Sequence, residues 1–445
     1  MIAFKTLLLG LVFGLTPIRF VVGPPVASVD ILVDGVQVAT VGGEPWQFYW
    51  NFGPAPLPHD LEIVGRDAKG SEVARARQWV NLPRPQAEAS LAVGLEGKDA
   101  APVASLSWST VEGSRPKKIV VELDGREISA GDPDRIELPA VDLSRSHFLT
   151  AEVRFPKGVV ARAASSFGGG VSAETSSDLT AVPVVLRPGS RMPSPDAMQG
   201  WFESDGTPLH VVGVEEGHSD VVTVFDLDCA GRFTGISRGN RTSAILQYTI
   251  PIQPSEGGDC LYGMWGVPRP VKSGGGEARS IFAVSFPMDL DVDSFRALIF
   301  RWAMPAADKQ DGALANAVAT AGMYAASLNR RRAVVMIVCD PSPDASTISV
   351  EAARAYLEAM DVPLFVWTVD QRVAGRELPG WGPAEDASTN LQLQGAISRL
   401  KETLDAQRIV WVEGLHLPQS IGLTPGPKPV FIARGVVRQR ASSPR

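Results

Sequence analysis

Apolar and polar positions alternate along the N-terminal part of the chain, and turn-forming residues interrupt the alternation about every ten residues. Val29, Ile31 and Val33 lead into the turn Asp34-Gly35, and the alternation resumes beyond it. An Asp-Gly pair readily adopts the positive φ angles that a tight hairpin turn needs. The pattern therefore predicts short antiparallel strands that bury one face.

The same pattern occurs twice, with a period of about 90 residues. The turn Asp34-Gly35 recurs as Asp124-Gly125, and His59 recurs as His147, each followed two residues later by a leucine. This repeat predicts two tandem immunoglobulin-like β-sandwiches. Neither has the cysteine pair of antibody domains, so aliphatic and tryptophan side chains must hold each sandwich together.

Beyond residue 220 the chain shows continuous apolar runs in place of alternation. Such runs are typical of strands that are buried on both faces of a parallel sheet. Helical patterns separate several of them, which predicts a Rossmann-like, doubly wound α/β domain with helices on both faces of the sheet. The runs cover residues 221–225, 261–267, 281–286, 333–338, 363–369 and 409–412.

Capping residues mark the ends of the predicted helices. Asp311 stands at the N-cap position of one amphipathic helix, and the arginines at 330–332 follow its end, where the helix dipole favours cations. Ser349 is predicted to cap the next helix, and Ser388 or Thr389 the last one.

The first residues have the pattern of an export signal. Lys5 precedes an apolar run at 7–15, which is too short to span a bilayer. We expect a signal segment that is either cleaved or kept as a short anchor, and the alternative is a first buried strand or helix. The predicted divisions are residues 1–16 (signal segment or anchor), 17–85 and 86–167 (the two sandwiches), 168–215 (linker and short β unit), 216–417 (α/β domain) and 418–445 (C-terminal strand and basic tail).

Composition argues against several functions. The 445 residues carry a net charge of −7 and have a pI near 5.4, which disfavours a nucleic-acid-binding surface. The five histidines show no metal-ligand spacing, which argues against zinc hydrolase chemistry. No nucleophile, phosphate-loop or dinucleotide motif occurs in the sequence.

Carboxylates gather where the predicted strands end. Asp226 and Asp228 follow the first strand of the α/β domain, and Asp340 follows a later one. Ligands of doubly wound sheets bind at these strand ends. Together with a final strand at 408–414, this order of elements resembles the von Willebrand factor A (VWA) domain of exported bacterial proteins, over about residues 180–420.

The VWA resemblance implies a metal-ion-dependent adhesion site that has lost several ligands. Asp226 and Asp340 match its two acidic positions, Asp228 and Ala230 replace its two serines, and Ala313 replaces its threonine. Mg²⁺ or another divalent cation, held by Asp226, Asp228 and Asp340, is the cofactor that the resemblance suggests. The alternative is a sheet that has lost its metal, in which these carboxylates cap loops and helices.

The resemblance also suggests a disulfide. Cys229 and Cys339 follow two strands that are neighbours in the VWA strand order, so a bond between them is a hypothesis. Export to an oxidising compartment would permit it. Cys260 opens a strand and is left unpaired.

These features predict an exported, non-enzymatic binding or adhesion protein that is periplasmic, secreted or on the cell surface. We expect protein partners, no nucleic acid, and membrane contact only through an uncleaved N-terminal segment. The alternatives are a structural component of a cell-envelope assembly and a metal-assisted hydrolase that uses the acidic strand ends.

Overall fold

A computed structural model gives the structure of most of the chain. Within the described residues, β-strands dominate and four α-helices occur. The described residues are 1–8, 10–83, 87–95, 102–110, 115–156, 159–168, 179–226, 229, 236, 258–271, 279–301, 312–339 and 344–434.

The first unit is a β-sandwich of two antiparallel sheets, ordered β1-β2-β5 and β4-β3-β6-β7. Aliphatic and aromatic side chains from both sheets fill its core, among them Ile18, Ile31 and Leu61. The strands are β1 Ile2–Phe4, β2 Leu15–Val22, β3 Ser28–Val33, β4 Val36–Val41, β5 Gln47–Asn51, β6 His59–Arg66 and β7 Glu72–Val80.

The second unit repeats this arrangement, with sheets ordered β8-β9-β12 and β11-β10-β13-β14. Because each strand has a counterpart in the same place in the first unit, the two tandem sandwiches predicted from the repeat are confirmed. The strands are β8 Ala87–Leu95, β9 Pro102–Thr110, β10 Lys118–Leu123, β11 Arg126–Ile128, β12 Ile136–Glu137, β13 Ser146–Arg154 and β14 Val160–Gly168.

The repeated aspartate and histidine make the same contact in both sandwiches. His59 Nδ1 lies 2.7 Å from a carboxylate oxygen of Asp34, and His147 Nδ1 lies 2.8 Å from one of Asp124. In each case the amide of the residue after the histidine donates to the other carboxylate oxygen, at 2.8 and 2.9 Å. Both aspartates have φ near +50°, as the tight turn requires. The sequence repeat thus preserves a bond between a hairpin turn and the neighbouring strand.

Residues 1–16, predicted as a separate signal segment, belong to the first sandwich in this structure. Ile2 pairs with Val22 across an antiparallel ladder, and the side chains of Ile2 and Leu8 are buried in the sandwich core. The described residues of the apolar run at 7–15 lie mainly between β1 and β2, where Leu8 is buried and Leu7 is exposed. A short apolar run does not by itself distinguish an export signal from a segment that packs against a sheet. The sandwich therefore begins at β1 and not at residue 17. Cleavage of this segment stays a prediction.

A short β unit follows the second sandwich. Its strands are β15 Leu179–Leu186, β16 Phe202–Ser204, β17 Thr207–Pro208 and β18 Val211–Glu215.

The chain then builds a six-stranded sheet ordered β23-β20-β19-β24-β25-β28, in which only β23 is antiparallel. Separate apolar cores lie on its two faces. The longest described helix has 16 residues, and none is both long and apolar enough to cross a membrane. The elements are β19 Ser219–Phe225, β20 Cys260–Trp265, β21 Arg269–Val271, β22 Arg279–Ile281, β23 Met288–Asp289, α1 Val292–Arg301, α2 Leu314–Ala326, β24 Arg331–Val338, α3 Val350–Ala359, β25 Leu364–Thr368, β26 Glu377–Leu378, β27 Gly382–Pro383, β28 Glu385–Asp386 and α4 Asn390–Asp405.

The final predicted strand of the α/β domain lies in a different sheet. Residues 408–414 fall on β29 (Gln407–Glu413), which pairs antiparallel with β15 and β18 in a sheet ordered β18-β29-β15-β31. Ile409 and Trp411 pack on one face of this sheet, and Val410 and Val412 on the other. A continuous apolar run indicates a strand that is buried on both faces, but it does not indicate which strands are its partners. The last two strands are β30 Ile421–Leu423 and β31 Val430–Ile432, and both belong to this β unit.

The predicted run 281–286 is also wrong as a buried parallel strand. β22 ends at Ile281 and pairs antiparallel with β21, and the edge of the large sheet is β23. Ser349 and Thr389, in contrast, cap α3 and α4 as predicted, because each hydroxyl accepts a hydrogen bond from a first-turn amide.

The histidine contact in the second sandwich predicts a pH dependence. Burial alone would lower the pKa of His147, but hydrogen bonds to Asp124 and to the Asp142 carbonyl outweigh it and raise the pKa above 6.5. Protonated His147 therefore stabilises the fold below pH 6.5, and this contribution is lost as the pH rises through the folded-state pKa. We expect the free energy of unfolding, measured in urea, to decline from about pH 6 to about pH 9. The decline should be smaller in His147→Asn and in Asp124→Asn. An unchanged decline in both variants would contradict the assignment.

Candidate functional site

The strand order of the parallel sheet defines a crevice where a ligand could bind. From central β19 the chain moves first to β20 and β23 on one side, and later to β24, β25 and β28 on the other. In sheets of this order, ligands bind outside the carboxyl ends of the strands where the direction reverses. That point lies between β19 and β24. Asp226 follows β19 directly, is buried, and donates its backbone N–H to the carbonyl of Ile337 on β24 at 2.9 Å.

A disulfide closes this end of the sheet. Cys229 and Cys339 are joined, with their Cα atoms 5.1 Å apart, and both side chains are fully buried. The bond ties the loop after β19 to the end of β24, on the two strands that flank the crevice. The third cysteine, Cys260, has a free thiol, and its burial raises its pKa to about 12.

The N-terminus of α2 also points at this region, and a carboxylate of the chain itself covers it. The amides of Leu314 and Ala315 donate to the two carboxylate oxygens of Asp344, at 2.8 and 3.0 Å. The next amide, of Asn316, donates to the hydroxyl of Ser346 at 3.0 Å. A helix N-terminus favours negative charge, and Asp344 supplies it from the loop before α3.

This arrangement changes the predicted cap of α2. The N-cap residue is Ala313, which makes no side-chain capping bond. Asp311, the predicted cap, lies outside the described residues. The capping carboxylate comes instead from Asp344, about 30 residues further along the chain.

Of the three predicted ligands of a divalent cation, the structure describes one. Asp226 lies at the end of β19, whereas Asp228 and Asp340 lie outside the described residues. Within the described part of the chain, no group of three metal-ligating side chains comes together. Magnesium or another divalent cation at this position therefore stays a prediction.

A buried group of charges joins the second sandwich to the α/β domain. We call Glu152, Arg162, Glu215, Asp220 and Arg330 the interdomain cluster. Glu152 on β13 accepts a hydrogen bond from Arg330, which directly precedes β24, and Arg162 on β14 donates to Glu215 at the end of β18. Arg330 also lies 3.6 Å from Asp220 on β19. Three structural units therefore share one set of ion pairs.

The pKa values of the cluster follow from burial and from the neighbouring arginines. Burial would raise the pKa of Glu152, but Arg330 and Arg162 lower it to about 2. Burial raises the pKa of Asp220 in spite of Arg330, because this carboxyl is completely enclosed. Glu152 is therefore the carboxylate hydrogen-bonded to Arg330, and removing it would leave this buried cation with Asp220, at 3.6 Å, as its nearest carboxylate in the cluster.

Apolar packing surrounds the cluster. The rings of Phe148 on β13 and Trp411 on β29 lie 5.9 Å apart, and the Trp411 indole N–H donates to Glu215 at 3.2 Å. Gly213 on β18 faces the Phe148 ring so closely that a Cβ atom would lie 2.6 Å from it. The second sandwich and the β unit thus pack so tightly at position 213 that only glycine fits there.

The interdomain cluster could not be recognised in the sequence. The three arginines at 330–332 were predicted to interact with a helix dipole. Instead Arg330 binds Glu152, Arg331 donates to the carbonyls of Gly217 and Leu404, and Arg332 donates to the carbonyl of Met360. The available signal was a run of three arginines, one directly before and two at the start of a strand that is buried on both faces.

Comparisons with known proteins identify no family. No protein-family model and no curated protein matches the chain. Among solved structures, the fibronectin(III)-like modules of Clostridium thermocellum CbhA match at 16% identity, with 18% of this chain and 92% of theirs covered and a TM-score of 0.16. A beta-glycosidase from Bacteroides vulgatus matches at 13% identity, with 38% and 24% covered and a TM-score of 0.19. The central fibronectin-III array of RIM-binding protein matches at 16% identity, with 48% and 80% covered and a TM-score of 0.19.

TM-scores this low carry no argument about function, and none of these three structures is described as a VWA domain. The assignment of sandwiches rests on the strand order in the structure itself. The VWA resemblance stays a prediction from the sequence.

The interdomain cluster predicts a large effect of one substitution. Glu152→Gln removes the carboxylate that is hydrogen-bonded to Arg330 and leaves Asp220 as the nearest one in the cluster, and we expect it to lower the free energy of unfolding by about 2–3 kcal/mol. Glu127→Gln, at an exposed position on β11 of the same sandwich, is the matched control and should change it by less than about 0.5 kcal/mol. Urea denaturation at pH 7 measures both.

The difference in the free energy of unfolding between wild type and Glu152→Gln should also depend on pH. Because the folded-state pKa of Glu152 lies near 2, below the ordinary value of 4.5, its contribution is complete above pH 4.5 and is lost as the pH falls through 2. The gap between wild type and Glu152→Gln should therefore narrow below pH 4.5. Equal stabilities at pH 7 would refute the role of the cluster.

The disulfide predicts the result of thiol counting. Under denaturing, non-reducing conditions we expect one reactive thiol, that of Cys260, and three after reduction. The bond closes a loop of 110 residues, for which the chain-entropy model gives about 4–5 kcal/mol of stabilisation. Reduction should therefore lower the melting temperature of the wild type but not that of the Cys229→Ser/Cys339→Ser variant. Three thiols before reduction would rule the bond out.

Proposed function

We propose that the protein is an exported, non-enzymatic binding or adhesion protein in which two β-sandwiches present a VWA-like α/β module to a protein partner. The observation that carries the proposal is the position of Asp226. It follows the central strand β19 at the point where strand order reverses, which is where a doubly wound sheet binds its ligand. The order of the strands and the tandem sandwiches support the same view.

A divalent cation would fit this proposal as a bridge to a carboxylate of the partner. Asp226, Asp228 and Asp340 would hold it, and their oxygens are of the type that Mg²⁺ prefers. With two serines and a threonine of the family pattern replaced, the chain supplies fewer hydroxyl ligands than the pattern requires. The proposal of partner binding at this edge does not depend on the metal.

Export is supported by the disulfide and by the N-terminal apolar run. Disulfides persist in oxidising compartments such as the periplasm or the cell exterior, and they are rare in the cytosol. The bond between Cys229 and Cys339 is fully buried, and its position beside the candidate binding edge would keep that edge rigid.

A second candidate is a structural component of a cell-envelope assembly, and the interdomain cluster favours it. Buried ion pairs and the contact between Phe148 and Gly213 fix the second sandwich against the other units. A scaffold needs such fixed geometry, whereas an adhesion protein needs only an accessible binding edge.

Partner capture from envelope and culture fractions tests the proposal. Immobilised wild type is compared with Asp226→Asn and with the control Glu402→Gln, which changes an exposed carboxylate on α4, in Mg²⁺ and in EDTA. We expect a protein that wild type and Glu402→Gln retain and that Asp226→Asn loses at least tenfold, with equal melting temperatures for all three. Equal retention by Asp226→Asn would contradict binding at this edge, and a stoichiometric complex that survives washing would favour the scaffold.

A further inference from the structure

The outer face of the β1-β2-β5 sheet in the first sandwich is apolar and exposed. Leu15 is 70% exposed, Tyr49 is 54% exposed and Val21 is 46% exposed. Pro17 pairs with Tyr49 across the sheet, and Ala3 pairs with Val21, so these side chains share one face. We call these five residues the apolar face.

The second sandwich shows that the fold does not require such a face. Its β8-β9-β12 sheet has the same strand order and the same place in the sandwich. The exposed positions there are small or polar residues, with Ser90 opposite Ser107 and Glu88 opposite Ser109. Two copies of one architecture therefore differ in what they present to solvent. Exposed apolar side chains grouped on one copy alone, with the Arg19–Gln47 pair between them, mark a candidate interaction surface.

The charged residues that lie next to the apolar face in β1, β2 and the connection after β1 are positive, and the exposed Glu44 lies three residues before β5. Residues 1–29 contain Lys5 and Arg19 and no aspartate or glutamate, although the whole chain carries a net charge of −7. Arg19 lies on β2 between Pro17 and Val21 and is exposed, and the Lys5 amide donates to the Arg19 carbonyl at 2.8 Å. None of the outward positions on the described strands β1, β2 and β5 carries a carboxylate.

We propose that this face binds the surface of a membrane that contains anionic phospholipid. Apolar side chains that enter the boundary between headgroups and acyl chains, together with cations that meet the headgroups, are sufficient for such binding. Tyr49 adds an amphipathic ring of the kind found at membrane interfaces. This inference concerns a different surface from the acidic strand ends and does not rest on the proposed function, and it applies to the protein that retains residues 1–16.

A second copy of the chain is a poorer occupant for the same face. If two apolar faces packed against each other, Arg19 and Lys5 of each copy would meet a surface without any carboxylate. Like charges brought together in this way oppose association. An anionic headgroup supplies the missing negative charge.

Vesicle sedimentation with the full chain tests the inference. We expect binding to vesicles of phosphatidylcholine with phosphatidylglycerol, and at least tenfold weaker binding to phosphatidylcholine alone. Leu15→Ser/Val21→Ser/Tyr49→Ser should lose binding at least tenfold, and Arg19→Gln about fivefold. Val36→Ser, an exposed apolar residue at the hairpin turn of the other sheet, is the control and should bind as wild type. Thermal melting shows whether each variant is folded.

Three outcomes would overturn the inference. The first is that wild type binds neither kind of vesicle, and the second is that the triple variant binds as well as the wild type. The third is that light scattering finds a lipid-free dimer that the triple variant abolishes, which would make a second copy the occupant. If the wild type captures its protein partner but binds neither kind of vesicle, this inference alone is refuted, because capture depends on Asp226.

Discussion

The ion pair between Glu152 and Arg330 fixes the arrangement of the units. Arg330 directly precedes β24, the neighbour of the central strand β19, so the bond from the second sandwich reaches the middle of the parallel sheet. A buried guanidinium without a carboxylate would cost several kcal/mol, and no other carboxylate lies as close to it in the described part of the chain. The candidate binding edge, at the opposite end of the same strands, is therefore held in a defined orientation.

The antiparallel β unit also contacts the interdomain cluster. β29 leaves α4 and pairs with β15 and β18, so that Trp411 reaches the Phe148 ring beside the cluster. After the α/β domain the chain thus re-enters the β unit, where β29 contacts the second sandwich. The first sandwich touches the α/β domain through Tyr356 on α3, whose hydroxyl donates to the carbonyl of Asn81 at 3.0 Å.

Local features were predictable from the sequence, and contacts between distant residues mostly were not, although the VWA resemblance suggested the bond between Cys229 and Cys339. The turns at Asp34 and Asp124 and the cap at Ser349 could be recognised because each depends on neighbouring residues. The cap of α2 by Asp344 could not, because that residue is far from the helix in the sequence. The ion pair between Arg330 and Glu152 could not be predicted for the same reason. An apolar pattern could identify β29 as buried, but not the sheet to which it belongs.

The most direct test of this account is a distance measurement between spin labels on the second sandwich and on the α/β domain. Cysteines introduced at the exposed positions Ser107 on β9 and Glu402 on α4 would carry the labels. The account predicts one narrow distance distribution, which Glu152→Gln broadens. A broad distribution in the otherwise unmodified protein would contradict the claim that the buried ion pair holds these units in one arrangement.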